Sequence, residues 1–177
     1  ETSGLGDRSY LVSDGDVATV IDPQRDIDRV LDLAQEKNVS ITHVLETHIH
    51  NDYVTGGLEL ARTVGAEYVV SAEDDVAFDR RPVDDGDIIG AGPVRFQVLP
   101  TPGHTHTHVS YVLQNTGGEP VGVFTGGSML HGTTGRTDLL GDDHTKELTH
   151  AQFHSVRRLA AELPGDADVY PTHGFGS

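Results

Sequence analysis

Two histidines one residue apart, His48 and His50, stand just ahead of Asp52. Two imidazoles and a carboxylate in one short loop can reach a single ion, and neutral imidazole with carboxylate suits zinc, iron and similar metals. More histidines follow predicted strands: His104 behind the turn Pro102-Gly103, then His131, then His173 within Pro171-Thr172-His173-Gly174. Loops at strand ends are where a rigid scaffold presents chemistry. The chain holds 11 His and no Cys, so disulfides, thiolate ligands and cysteine nucleophiles are excluded, and any metal rests on His and carboxylates. One His on a loop is ordinarily a solvated surface residue. His48, His50, Asp52, His104 and His173 falling together behind strands are read as a site. His43 sits inside a strand and is read as structural. Of His106 and His108, at least one is expected to point away from the site. His144, His150 and His154 lie near or on the last helix and are expected at the surface.

Strands must precede those loops to hold them. Residues 9–12 and 17–21 are β-rich runs separated by Asp14-Gly15-Asp16, a hairpin signal, and Asp22-Pro23 stops the second. Ile27, Val30, Leu31 and Ala34 recur at helical spacing and predict a helix to about Lys37. A buried strand over 41–45 runs straight into the two leading histidines. A helix over 58–64 stops at Gly65. Strands are predicted over 68–70, 94–99, 109–113, 121–124 and 168–170, and a last helix over 151–163 with Phe153, Val156, Leu159, Ala160 and Leu163 on one face. Asp74 to Gly92 is acidic and turn-rich, and Asp74 to Asp87, like Asp142-Asp143, reads as solvated surface. This order predicts a layered α/β or α+β arrangement, a single domain over residues 1–177.

Composition narrows the partners. The 12 basic and 28 acidic residues give a net charge of −16, a field that repels nucleic-acid phosphates and anionic membrane surfaces, so neither is expected as a partner. No apolar run has membrane-span length and no signal peptide is visible, which predicts a cytoplasmic protein. The chain starts at Glu1 and stops at Ser177, and both ends read as cut.

The run Thr47-His48-Ile49-His50-Asn51-Asp52-Tyr53-Val54-Thr55-Gly56 resembles the T-H-x-H-x-D-H-x-x-G signature of the metallo-β-lactamase fold. Thr101-Pro102-Gly103-His104-Thr105 is similar to that fold's second metal motif, and Tyr170-Pro171-Thr172-His173-Gly174 to its last. The resemblance covers nearly the whole chain in order. It implies an αββα sandwich with the metal at one edge, between two sheets. Gly135-Arg136-Thr137-Asp138 and Glu46 are similar to the persulfide dioxygenase branch, which includes bacterial proteins with a rhodanese domain downstream. A fused rhodanese domain or a homo-oligomer is the protein partner this implies.

By that resemblance a first ion uses His48, His50 and His104, and a second uses Asp52, position 53 and His173, with position 127 bridging. Position 53 is Tyr where the signature has His, and position 127 is Gly where the branch carries a metal-binding Asp. The implied centre is therefore one divalent ion on His48, His50 and His104, Fe(II) favoured and Zn(II) the alternative. Asp52 and His173 would orient ligands or move protons. In the branch, iron sits on a face of two histidines and the Asp missing here; His50 would serve as third ligand, or Asp52 would swing in. Tyr53 either donates a hydrogen bond to substrate or packs. Arg136 either stabilises a substrate carboxylate or pairs with Asp138. The implied activity is oxidation of a low-molecular-weight thiol persulfide such as glutathione persulfide. The alternatives are a glyoxalase II-like thioester hydrolase, whose relatives use both metals, and a non-catalytic module with a degenerate site. Gly127→Asp is expected to tighten metal binding.

Overall fold

The computed structural model describes residues 6–51 and 53–174. Tyr10–Asp14 (β1) and the β-branched Val17–Ile21 (β2) form the expected antiparallel hairpin, turned by Gly15 at φ +68°. The helix Asp28–Lys37 (α1) then carries the chain over to Ser40–Leu45 (β3), which lies parallel to β2. A second crossover helix, Gly57–Val64 (α2), leads to Glu67–Ser71 (β4), parallel to β3, and Arg81–Val83 (β5) closes this sheet in the order β1-β2-β3-β4-β5. The second sheet contains Ile88–Ala91 (β6), Val94–Pro100 (β7), Val109–Gln114 (β8), Pro120–Gly126 (β9) and Asp168–Pro171 (β10), ordered β10-β9-β8-β7-β6. The helix Asp142–Glu162 (α3) crosses from β9 to the parallel β10.

Three apolar clusters set the layers. Ala18, Val20, Val44 and Val70 of the first sheet pack with Ala34 of α1 and Leu60 and Ala61 of α2. Ile21, Leu45, Val69, Phe96, Val98, Tyr111 and Phe124 fill the space between the sheets. Leu99, Val112 and Val123 meet Leu159 of α3 on the outer face of the second sheet. The result is the αββα sandwich the resemblance implied.

Some elements differ from the sequence reading. The stretch Asp74 to Gly92, read as acidic and turn-rich, contains the strands β5 and β6, and Asp74, read as solvated surface, is buried. Helix α3 starts at Asp142, and its inner face is Leu148, Gln152, Ser155 and Leu159, leaving Phe153 58% exposed. A polar residue hides that face from a hydrophobic pattern: Gln152 is buried because its amide donates to the carbonyl of Ser128 (2.7 Å). Among the described residues no helix is long and apolar enough to cross a membrane.

Because β2 and β3 run parallel, Asp22 and Glu46–His50 leave the first sheet at the same edge. The parallel pair β9 and β10 delivers Gly126 and Thr172–His173 beside them. Backbone bonds fix this convergence: Asp22 N–H to Leu45 O (2.9 Å), Val109 N–H to Thr47 O (2.8 Å) and Thr172 N–H to Gly126 O (3.0 Å).

Candidate metal centre

Five imidazoles meet at that edge. The His48 ring centroid lies 4.0 Å from His50, 4.9 Å from His104, 4.9 Å from His108 and 5.6 Å from His173, and His104 lies 5.2 Å from His173.

The neighbours of each ring decide which nitrogen faces inward. The Thr47 hydroxyl donates to Asp22 Oδ2 (2.7 Å), so it accepts from Nδ1 of His48 (2.9 Å). The proton of His48 is therefore on Nδ1, and its buried Nε2 lone pair meets no hydrogen-bond partner among the described residues. Nδ1 of His104 donates to the carbonyl of Arg136 (3.0 Å), and Nδ1 of His173 faces Asp7 Oδ1 (3.2 Å). His50 is turned the other way. Its Nε2 lies 3.2 Å from Glu46 Oε2, 3.4 Å from Asp22 Oδ1 and 2.9 Å from the Tyr53 hydroxyl. That hydroxyl donates to the carbonyl of Asp22 (3.3 Å), which leaves it to accept from Nε2–H. A metal-bound His gives its other ring N–H to a carboxylate, carbonyl or similar acceptor, which fixes tautomer and orientation. The nitrogens that could hold an ion are thus Nε2 of His48, Nδ1 of His50 and Nε2 of His173; His104 stands outside that group, and Nε2 is its ring nitrogen not bonded to the Arg136 carbonyl. Ligand atoms of His48, His50 and His173 lie within 4.8 Å of one another.

A buried lone pair left unmet costs on the order of 1–3 kcal/mol, and a divalent cation would meet it. Burial and then the neighbouring imidazoles hold the His48 pKa well below its ordinary value, so the ring is the neutral ligand a metal requires. The residues fit a transition-metal ion.

His108 does not belong to the donor set. Its Nε2 accepts from Gly127 N–H (3.1 Å), so Nδ1–H donates to the Thr101 hydroxyl (2.9 Å), and both nitrogens are used. His106 is exposed, as are His131, His144, His150 and His154. His43 lies in β3, with Nε2 3.4 Å from Glu67. Asp52 lies outside the described residues. Tyr53 covers the His50 ring (centroids 4.1 Å apart) as well as bonding to it. The guanidinium of Arg136 is exposed and pairs with both carboxylate oxygens of Asp138 (2.9 Å each); what it gives the centre is its backbone carbonyl.

The sequence reading missed Asp22. It is fully buried and accepts from Thr47 N–H (2.7 Å), the Thr47 hydroxyl (2.7 Å) and the Thr172 hydroxyl, tying together the loops that carry His48, His50 and His173. Burial alone would raise its pKa; His50 and these donors outweigh that and hold it below the ordinary carboxylate value. Its neighbour Glu46, accepting from the hydroxyls of Thr55 and Tyr68, is pushed up by burial, which the hydrogen bond with His50 only partly offsets.

Gly127 requires a correction. A Cβ there would lie 2.3 Å from Cδ2 of His104, and a Cβ on Gly135 would lie 2.9 Å from Nδ1 of the same ring. The imidazole fills the space an aspartate would need. Gly127→Asp therefore displaces His104 instead of adding a ligand.

The family profile described as the metallo-beta-lactamase superfamily matches residues 4–173. A probable polyketide biosynthesis zinc-dependent hydrolase, BaeB of Bacillus velezensis, is 30% identical over 174 residues, covering 94% of this chain and 72% of the relative. Human mitochondrial persulfide dioxygenase ETHE1 is 30% identical over 171 residues, covering 94% of this chain and 63% of the relative. A hydroxyacylglutathione hydrolase of Aliivibrio fischeri is 30% identical over 167 residues, covering 94% and 61%. The crystal structure of ETHE1 from Myxococcus xanthus superposes with a TM-score of 0.84 at 33% identity, covering 99% of this chain and 74% of that one. The chain spans less than two thirds of the human dioxygenase and of the Aliivibrio hydrolase, and is equally similar to both.

Proposed function

The chain belongs to the metallo-beta-lactamase superfamily, a family of metal-dependent enzymes, and on that premise we propose that it oxidises a low-molecular-weight thiol persulfide at a single divalent ion, Fe(II) by preference. The observation that carries this reading is Tyr53. It stands where the family signature has a histidine for a second ion, and its phenol is spent on Nε2 of His50 and the carbonyl of Asp22. That supports one ion, as the dioxygenase resemblance implies, and speaks against the two-ion hydrolases.

His48, His50 and His104 would hold the ion, with His173 beside them. Bound there, it would supply Lewis acidity and a place where sulfur and oxygen meet side by side. The chain's own groups do the positioning. Asp22 acts through Thr47 on His48, Glu46 and Tyr53 hold His50, and the Arg136 carbonyl holds His104. His173 with Asp7, and Asp52 from the adjoining loop, are proposed to orient ligands or carry protons.

A second reading has its own support. Gly127 offers no carboxylate, and a set of three imidazoles suits zinc, whose bound water has a pKa of about 7 and can attack a thioester. Metal analysis of protein produced with iron and zinc both available separates the two. About one Fe per chain, with O₂ consumption on glutathione persulfide, is the expected result. Zinc with cleavage of a hydroxyacylglutathione thioester would replace it by the second reading. Metal-free protein after gentle purification would sink both.

A further inference from the structure

Two histidines outside the centre share one face of α3. Glu147, His150 and His154 follow one another at spacings of three and four residues. At about 100° per residue, those steps keep all three within about 60° of one another around the helix axis. All three are exposed, and so is Asp143, one further turn back on the same face. No side-chain hydrogen bond or ion pair engages Glu147 or His150 among the described residues. The His154 ring stands beside that of Phe153 (centroids 5.5 Å apart). The arginines that follow on α3 are committed elsewhere. Arg157 lies over the Phe153 ring (5.5 Å), and Arg158 pairs with Asp85 (2.9 Å) and Glu162 (2.7 Å).

We propose that Glu147, His150 and His154 form a second metal site, for a divalent transition-metal ion such as zinc or copper, on the solvent face of α3. Two imidazoles at i and i+4 of a helix can face one ion, and a Glu three residues before a His is a recurrent donor pair in helical metal sites. Neighbours at these spacings have Cβ atoms about 5–6 Å apart, which lets one ion bridge them. Imidazole suits zinc, copper and nickel, whereas calcium and magnesium take oxygen ligands. Lys146, four residues before His150, opposes an ion held by charge alone and so sharpens that choice. The net charge of −16 draws cations toward the surface. An exposed site of this kind holds its ion more weakly than the buried cluster, so metal that just fills the first centre leaves α3 empty. The inner side of the same turns holds the loops of that centre. Gln152 donates to the carbonyl of Ser128 (2.7 Å), next to Gly127, and Ser155 to that of Pro102 (2.6 Å), two residues before His104. An ion on the outer side would fasten the stretch of helix from which those bonds are made.

Calorimetric titration with Zn(II) alone, on the purified untagged chain with its first centre filled and excess metal removed, tests the site. The wild type is expected to take up one further ion per chain. His150→Gln and His154→Gln should each weaken that step about tenfold or more, and Glu147→Gln should weaken it less. The substituted side chains are exposed, so the variants should fold as the wild type does and keep the metal of the first centre. Zn(II) should also slow amide exchange over residues 147–154 in the wild type, and not in the double variant His150→Gln/His154→Gln. His144→Gln serves as a control, because His144 lies off this face with its ring 5.1 Å from that of His106. It should leave the further ion in place. Equal Zn(II) uptake by the wild type and the double variant overturns the proposal, as does the absence of a further ion in the wild type at millimolar Zn(II). The site does not depend on the chemistry proposed above. Were the histidine cluster to hold no ion at all, the wild type would still take up one ion more than the double variant.

Discussion

At the scale of single residues, a glycine where a ligand was expected turns out to be room for another ligand. The His104 ring lies where the first side-chain atom of residue 127 would be, and Gly135 leaves space on its other side. Gly127→Ala and Gly127→Asp should therefore both reduce retained metal below that of the wild type. Elemental analysis after identical purification measures this, and a Gly127→Asp protein that holds more metal would show that His104 is not confined as described. Tyr53→Phe keeps the ring over His50 and leaves Glu46 on Nε2, so it should retain its metal. Asp22 is a different case. Asp22→Ala strips three donors of their acceptor in a fully buried place, at a cost of roughly 3 kcal/mol or more, read by urea unfolding. The clustered histidines were legible through their positions after strands together with the motifs that carry them, since His131 also follows a predicted strand and lies exposed outside the cluster. Asp22 was not. A carboxylate between an apolar strand and a proline reads as a strand end, and its role exists only where three loops meet.

At the scale of elements, the loops that carry the histidines are held by other loops. The Thr107 hydroxyl donates to Asp74 Oδ1 (2.6 Å), joining the loop of His104 and His108 to the turn after β4. Burial raises the Asp74 pKa above the ordinary carboxylate value. The native state therefore binds this proton more tightly than the unfolded chain does. Asp74's contribution to stability is largest at low pH and falls as pH rises from the ordinary carboxylate range through the raised value. Asp74→Asn keeps an acceptor for Thr107 and carries no charge. Its stability relative to wild type should be greatest near pH 7–8 and should shrink toward pH 4, as measured by urea unfolding across that range. Asp74→Ala loses the acceptor and should cost about 1 kcal/mol. The acidity that made Asp74 to Gly92 read as turns also concealed its strands. β5 and β6 are short edge strands, and Pro82 is tolerated in β5 because an edge leaves its missing N–H without consequence. The longer strands were legible as β-rich runs bounded by turn residues, α1 through its helical spacing and α2 with its stop at Gly65. The start of α3 was not, because its first turns are polar and mostly exposed.

At the scale of the molecule, the candidate centre is also a joint. His48 and His50 follow β3 of the first sheet, while His104 and His173 follow β7 and β10 of the second. The sheets are also tied at this edge by Val109 N–H to Thr47 O (2.8 Å), by the Tyr111 hydroxyl on the carbonyl of Glu46 (2.8 Å) and by the Thr172 hydroxyl on Asp22. An ion bridging these histidines would bind the folded chain and not the unfolded one, because only folding brings the two sheet edges together. At a free metal concentration one hundred times Kd, such a ligand adds about 2.7 kcal/mol of stability. For a chain of 177 residues this corresponds to a rise in Tm of roughly 5–10 °C. Chelation of the wild-type protein should lower Tm by about that amount, and restoring the metal should recover it. His48→Ala removes a ligand whose Nε2 meets no hydrogen-bond partner among the described residues, so its Tm should not respond to chelator or added metal. Stripping the metal from the wild type without lowering Tm would mean that the ion does not span the two sheets, and the four-histidine convergence would lose its structural role.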